Sequence, residues 1–124
     1  MKNIFRILII FAAVLVTGCS TSDSAGDKSP LTGTEWQLFE MDGVKYEPVS
    51  GKSVTMKLDS KEKNINGKAP CNTYGGPYIK SSNKLSFGGL YSTEMACDEL
   101  DKETSYFALM QKVFAYQISG DKLY

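Results

Sequence analysis

Three cysteines, a knot of acids and a glycine-rich string are the parts of this 124-residue chain whose residue types can do chemistry. The cysteines are Cys19, Cys71 and Cys97. The acids are Asp98, Glu99, Asp101 and Glu103, with Glu94 just upstream. The string is Asn66-Gly67-Lys68-Ala69-Pro70-Cys71-Asn72-Thr73-Tyr74-Gly75-Gly76-Pro77-Tyr78. The chain contains no histidine, which excludes Ser-His-Asp and Cys-His catalysis and removes the commonest metal ligand. Its 14 basic and 14 acidic side chains cancel, so there is no electrostatic footprint for a nucleic-acid partner.

Cys19 stands apart from the other two. Lys2 and Arg6 precede an unbroken apolar run from Ile7 to Val16, then Thr17-Gly18-Cys19. That run is half the roughly 20 residues a membrane-crossing helix needs. A basic start, a short apolar stretch and small residues before a break describe a secretory leader over residues 1–18. The ending Val16-Thr17-Gly18-Cys19 resembles a bacterial lipobox, in which cleavage falls before a cysteine that receives a diacylglyceryl group. Each buried methylene contributes about 0.8 kcal/mol, so two or three acyl chains hold a protein to a membrane where one does not. An uncleaved anchor helix fits less well, because Ser20-Thr21-Ser22-Asp23 turns polar at once. Cleavage removes Lys2 and Arg6, leaving 12 basic against 14 acidic side chains. Residues 20–30 carry no large apolar side chain, so 19–30 reads as a lipidated flexible tether.

Cys71 and Cys97 remain as a pair. In an exported domain two thiols form a natural disulfide, and closing this loop would contribute about 3.5 kcal/mol in the chain-entropy model. Two buried free thiols are the alternative. Redox chemistry fits poorly, since there is no C-x-x-C spacing and no adjacent cation to hold a thiolate. The acids read as a solvated helix start that complements the helix dipole rather than as a metal or acid–base cluster. The glycine-rich string has neither phosphate-loop spacing, so no nucleotide or other cofactor is expected. Gly75-Gly76-Pro77 reads as a sharp turn. Asn72 suits hydrogen bonds to nearby backbone, and Tyr74 and Tyr78 can bury their rings while leaving their hydroxyls in water.

The elements that must position these groups are short. Trp36 and Leu38 share one face of a strand over 34–38, and Asp42-Gly43 reads as a tight turn. Residues 54–59 alternate apolar and polar, as a half-buried strand does. Ile65, Gly67 and Ala69 share a face where small residues allow close backbone approach. Tyr78-Ile79 and Leu85-Ser86-Phe87 flank a hairpin turn at 81–83, and Tyr116-Gln117-Ile118 leads into another at 119–122. A helix is expected from Asp98 to about Phe114. Its stripe is Leu100, Phe107, Met110 and Phe114, widened by Tyr106, Leu109 and Val113, with Lys112 in its last turn. The fold class is α+β, mainly antiparallel β: a small curled sheet or barrel with one helix packed against it.

Three stretches, in order and spacing, resemble the signatures of the META domain, the domain of HslJ-like heat-shock lipoproteins of bacterial envelopes. They are Leu31-Thr32-Gly33-Thr34-Glu35-Trp36-Gln37-Leu38, Cys71-Asn72-Thr73-Tyr74-Gly75-Gly76-Pro77-Tyr78 and Thr93-Glu94-Met95-Ala96-Cys97. Residues 114–123 are similar to the family's usual ending, so the resemblance covers 31–124. It implies a compact antiparallel domain with one helix, displayed on the envelope and linked with heat shock, novobiocin resistance and, in some parasites, motility and virulence. It carries no catalytic residues. Pro70 stands where the family usually has glycine. The chain stops at Leu123-Tyr124, where the family normally continues through a last strand, so these residues are expected to have little to pair with.

The expected function is a non-enzymatic, stress-related or binding module of the bacterial envelope, monomeric and lipid-anchored, most simply at the outer membrane. Its partner would be an envelope protein or a small apolar ligand. Asn72, Tyr74, Gly75, Tyr78, Thr93 and Met95 are the candidate binding residues, because the signatures there exceed what packing needs. An inhibitor of a hydrolase belongs to the same class. An enzyme using Asp98 or Glu94 would need two carboxylates about 5–9.5 Å apart in a pocket. A Cys19→Ser chain is expected to lose membrane attachment and to take up no radioactive palmitate; labelling that persists would refute lipidation at this residue.

Overall fold

The computed structural model describes residues 28–48 and 51–124. The leader, Cys19 and the tether up to residue 27 lie outside the described residues. Among the described residues, ten strands and one helix follow in chain order: β1 (Glu35–Gln37), β2 (Glu40–Met41), β3 (Val44–Lys45), β4 (Thr55–Leu58), β5 (Asn64–Lys68), β6 (Thr73–Ser81), β7 (Lys84–Phe87), β8 (Tyr91–Ser92), α1 (Leu100–Met110), β9 (Ile118–Ser119) and β10 (Lys122–Leu123). An antiparallel sheet runs β1-β4-β5-β6-β7, with β8 also paired to β6. The pairs β2–β3 and β9–β10 are separate hairpins. The chain is thus α+β, dominated by one curled antiparallel sheet.

Alternation builds the sheet's inner face. Val54 and Leu58 are fully buried and Met56 is half-buried, while Lys57 between them is exposed. Ile65 opposite Leu58 is also fully buried. Trp36 is buried, and its indole N–H donates to the Leu31 carbonyl at 3.0 Å, so the ring enters the core without orphaning a polar group. The Asp42-Gly43 turn forms as expected, with both residues at positive φ (53° and 77°), the backbone twist a two-residue hairpin favours.

Gly67 shows why a small residue sits in β5. A Cβ there would lie 2.0 Å from the Thr55 carbonyl oxygen and 3.1 Å from the Tyr74 ring. The glycine leaves a gap, and the Tyr74 hydroxyl reaches through it to donate to that carbonyl at 3.0 Å.

Gly75-Gly76-Pro77 is not a turn. All three residues lie inside the nine-residue strand β6. Gly75 is small because the Tyr91 ring lies on it: a Cβ would sit 2.8 Å from the Tyr91 hydroxyl. At Gly76 a Cβ would sit 3.0 Å from the Leu90 side chain. The crowding marks a β-bulge. Tyr78 pairs with Phe87 and Gly75 with Tyr91, so Gly76-Pro77 face the longer Gly88-Gly89-Leu90 across the pair. Pro77 falls at this break, where a missing N–H costs no ladder bond, and its carbonyl still accepts from Gly88 N–H at 3.2 Å. The composition of this string signals a sharp turn, but no turn forms in it; the irregularity is the extra residue in the facing segment 88–90.

The helix is shorter than its apolar spacing implied. It spans Leu100–Met110, so Lys112 lies beyond its last turn. Of the expected stripe, Tyr106 and Met110 are buried and Phe107 and Val113 pack partly against the core. Phe114 is 80% exposed and Leu100 44% exposed. The helix stops before Phe114 because 114–116 runs extended beside β7: Leu85 N–H donates to the Phe114 carbonyl and Tyr116 N–H to the Asn83 carbonyl. The terminal residues do find a partner. β10 pairs with β9, and Gln117 and Tyr124 exchange two backbone hydrogen bonds.

Gly67→Ala is expected to destabilise the domain by about 3 kcal/mol, at the upper end of overpacking costs, because the backbone of β4 must move. Gly43→Ala, with nothing within 4 Å of its Cβ, should cost only its positive-φ strain, about 1 kcal/mol. Urea denaturation of both variants measures the difference.

Candidate functional site

The loop joining β5 to β6 has a supply problem. Its backbone N–H groups at Cys71 and Asn72 turn inward, away from the sheet ladder, and Asn72 is buried. A buried donor without an acceptor costs about 1–3 kcal/mol. Glu103 meets the need from α1. One carboxylate oxygen accepts from both N–H groups, at 2.7 Å from Cys71 and 2.8 Å from Asn72. The other accepts from the Asn72 side-chain amide at 2.6 Å. Glu103 lies in the first helical turn, where the helix dipole also favours an anion. Among the described residues no lysine or arginine comes within ion-pair distance of it. N–H donors and the helix end replace the cation.

This corrects the reading of the acid cluster. Asp98 and Asp101 are exposed, as a solvated helix start should be. Glu103 and Glu99 are buried. Glu99 pairs with Lys102 at 3.3 Å, and the same ammonium donates to the Glu47 carbonyl and lies 5.5 Å from the centre of the Tyr46 ring. Burial, and then the nearby Glu99 charge, push the Tyr46 hydroxyl's pKa up. Spacing alone could not distinguish the buried acids from the solvated ones. The loop whose donors need Glu103 lies about thirty residues earlier in the chain.

Asn72 ties the second and third signatures together. Its amide oxygen accepts from Met95 N–H at 2.7 Å and from the Thr93 hydroxyl at 3.0 Å. Its amide nitrogen donates to Glu103 and to the Met95 carbonyl at 3.3 Å. The backbone N–H of Met95 must face an oxygen, which fixes the orientation of the amide. Both donors and both acceptors are used, so the side chain has no capacity left for a ligand. Cys71 and Cys97 form a disulfide beside this network, with Cα atoms 5.9 Å apart. The expectation of a bridge holds, and the bridge ties the same two segments that Asn72 joins.

Tyr74, Tyr106 and Phe107 pack edge to face, with ring centres 5.5–5.6 Å apart. The Tyr74 and Tyr106 hydroxyls meet at 2.6 Å, and the chain of bonds ends on the Thr55 carbonyl. Burial pushes the Tyr74 hydroxyl up to about 12, and that of Tyr106 further. Tyr78 donates to the Asp59 carbonyl at 2.9 Å. The hydroxyls of Tyr74 and Tyr78 are therefore bonded to the protein, not left in water as expected.

Of the candidate binding residues, Asn72, Tyr74, Gly75 and Tyr78 are buried, and Thr93 and Met95 are exposed. Asn72, Thr93 and Met95 line a shallow open depression of about 340 Å³, and Tyr74, Gly75 and Tyr78 do not. Asn72 and Glu103 line it, Thr93 and Glu94 flank it, and Met95 and Leu100 lie against it, both exposed. Leu100 was expected on the helix's core stripe, and no binding signal marked it. Glu94 and Asp98 are exposed, and Asp98 is not among the residues lining the depression. Among the described residues no three Cys, Asp or Glu side chains gather into a metal-binding group.

A family model for the META domain matches residues 29–124, which takes in every strand, the helix and the depression. The chain belongs to the META domain family. A solved structure, the NMR structure of a protein from Burkholderia xenovorans, is similar to it with a TM-score of 0.55 and 29% identity. That similarity covers 70% of this chain and 68% of the other. No curated protein sequence is significantly similar to the chain. In this META domain, the second and third signatures therefore describe a fold-holding network of Asn72, Thr93, Met95 and the disulfide, with Glu103 as a member that the signatures omit.

Glu103→Gln is expected to destabilise the domain almost as much as Glu103→Ala, on the order of 3 kcal/mol, because both carboxylate oxygens accept from N–H groups and an amide supplies only one acceptor. Thermal and urea unfolding of the two variants measure this. A near-native Glu103→Gln would mean the carboxylate is not needed as a double acceptor.

Proposed function

We propose that this protein is a lipid-anchored envelope module that acts by binding, and that its binding surface is the depression beside Asn72. Support comes from how the polar groups are spent. Asn72 uses its full hydrogen-bonding capacity within the fold, and Glu103 accepts from three N–H groups. The large apolar side chains that remain for a partner are Met95, 61% exposed, and Leu100, 44% exposed, on a base held rigid by the disulfide and the network. Large exposed apolar side chains around a fixed depression suit a small apolar ligand or an apolar side chain of an envelope protein. Methionine adapts its shape to either.

The acids do not favour hydrolysis. A carboxylate pair working on one bond needs both members free, and Glu103 is already committed to backbone N–H groups. Exposed Glu94 is left at the depression without a second free carboxylate among its lining residues. The leader, the lipobox-like ending and the polar tether support attachment to the envelope through Cys19.

A photo-reactive residue at position 95 of the full-length protein, activated in its native envelope, should capture one dominant partner. With the photo-reactive residue placed instead at exposed Glu94, Met95→Glu with Leu100→Glu should reduce capture at least tenfold, roughly the worth of one buried apolar side chain, with the melting temperature unchanged. Capture that ignores those changes, or substrate turnover by the purified domain, would overturn the proposal. Asn72→Ala should lose capture and stability together, because it holds the surface rather than forming it.

A further inference from the structure

A second depression lies on another part of the domain, and none of its lining residues belongs to the site above. It holds about 670 Å³ and opens where residues 28–32, the β6–β7 turn and residues 116–118 meet. Its charged lining residues are Lys28 and Lys80, and no carboxylate lines it. In a chain whose charges balance, that is a local separation of sign. Both lysines are exposed, and among the described residues neither enters an ion pair.

The walls are fixed in place. Ser29 N–H donates to the Gly120 carbonyl at 3.0 Å and Gly33 N–H to the Leu58 carbonyl at 2.9 Å, which ties the 28–32 segment at both ends. Tyr116 is held by its backbone N–H on the Asn83 carbonyl at 2.9 Å and by its hydroxyl on the Ser82 carbonyl at 3.2 Å. The Lys80 ammonium sits 5.7 Å from the centre of that immobilised ring, which steadies a flexible side chain at the groove without neutralising it. Ser82, Asn83 and Gln117 add hydroxyl and amide groups along the walls.

We infer that this groove binds the phosphate ester of a polyol. Two ammonium groups in a carboxylate-free groove select an anion with several acceptor oxygens, and lysine commonly serves phosphate in this way. The neighbouring hydroxyls and amides suit the hydroxyl groups of a glycerol or sugar unit. The groove's size lies within the range of small-molecule sites. A lipid headgroup and a soluble ester share this chemistry. The inference stands apart from the apolar surface proposed above and does not need it.

The test is an NMR titration of the full chain, held in a neutral detergent, with glycerol 3-phosphate. Amide shifts are expected in residues 28–32, 80–83 and 116–118. Lys28→Gln and Lys80→Gln should each weaken binding about tenfold, Lys80→Arg should largely retain it, and Lys112→Gln should leave it unchanged. Both lysines are exposed, so the folded spectrum should survive each change. Absence of shifts in these segments, shifts produced equally by glycerol alone, or binding indifferent to both Gln substitutions would each overturn the proposal. Vesicles then identify the source. If phosphatidylglycerol vesicles perturb the amides of the groove residues in a way that Lys28→Gln and Lys80→Gln abolish, and phosphatidylcholine vesicles do not, the ligand is a lipid headgroup. If only the soluble ester shifts the groove residues, it is a soluble phosphate ester.

Discussion

One buried carboxylate organises the half of this domain that holds the second and third signatures. Glu103 reaches from the first turn of α1 into the β5–β6 loop and accepts every N–H group that the loop turns inward there. An ion buried without a cation is expensive unless its oxygens are fully hydrogen-bonded, and this one has three donors and a helix end. The same contact docks the helix onto the sheet and presents Asn72 to the third signature. The disulfide, the Asn72 amide and the Glu103 carboxylate all join the stretch around 71–72 to the stretch around 93–103. The domain closes at one place by a covalent bond, a neutral hydrogen-bond hub and a charge.

The aromatic cluster extends that closure into the core. Tyr74 begins two residues after Asn72, on the strand, and Tyr106 lies one helical turn after Glu103. Their hydroxyls meet only because both anchors are already set. Gly67 then lets the chain of hydroxyls terminate on the Thr55 carbonyl instead of on water. The small residue, the tyrosines and the buried acid thus serve one connected network, and the depression beside it inherits its rigidity.

Local pattern made some of this legible. Alternation at 54–59, the Asp42-Gly43 turn, the 81–83 hairpin and the need for a small residue at 67 all follow from nearest neighbours in the chain, and all are present. The cysteine pairing was open to reading because only two thiols were left to join. The long-range features were not legible. Glu103 looks like any acid at a helix start until its partners at 71 and 72 are known. Phe114 fits the helical spacing, but a β7 edge in need of hydrogen-bond partners draws 114–116 into an extended run. Gly75-Gly76-Pro77 has the composition of a turn, and what decides its conformation is the Tyr91 ring lying on Gly75.

The bulge opposite Gly76-Pro77 also sets a phase. Phe87 packs toward the core and Tyr91, four residues later, faces solvent, although an unbroken strand would put both on one side. The extra residue is a half-period slip, so the edge carries two frames of alternation. The frame before it answers to the core and the frame after it answers to Asn72. Chain length between 88 and 90, more than the identity of any side chain there, therefore keeps Thr93 and Met95 in step with the network they complete.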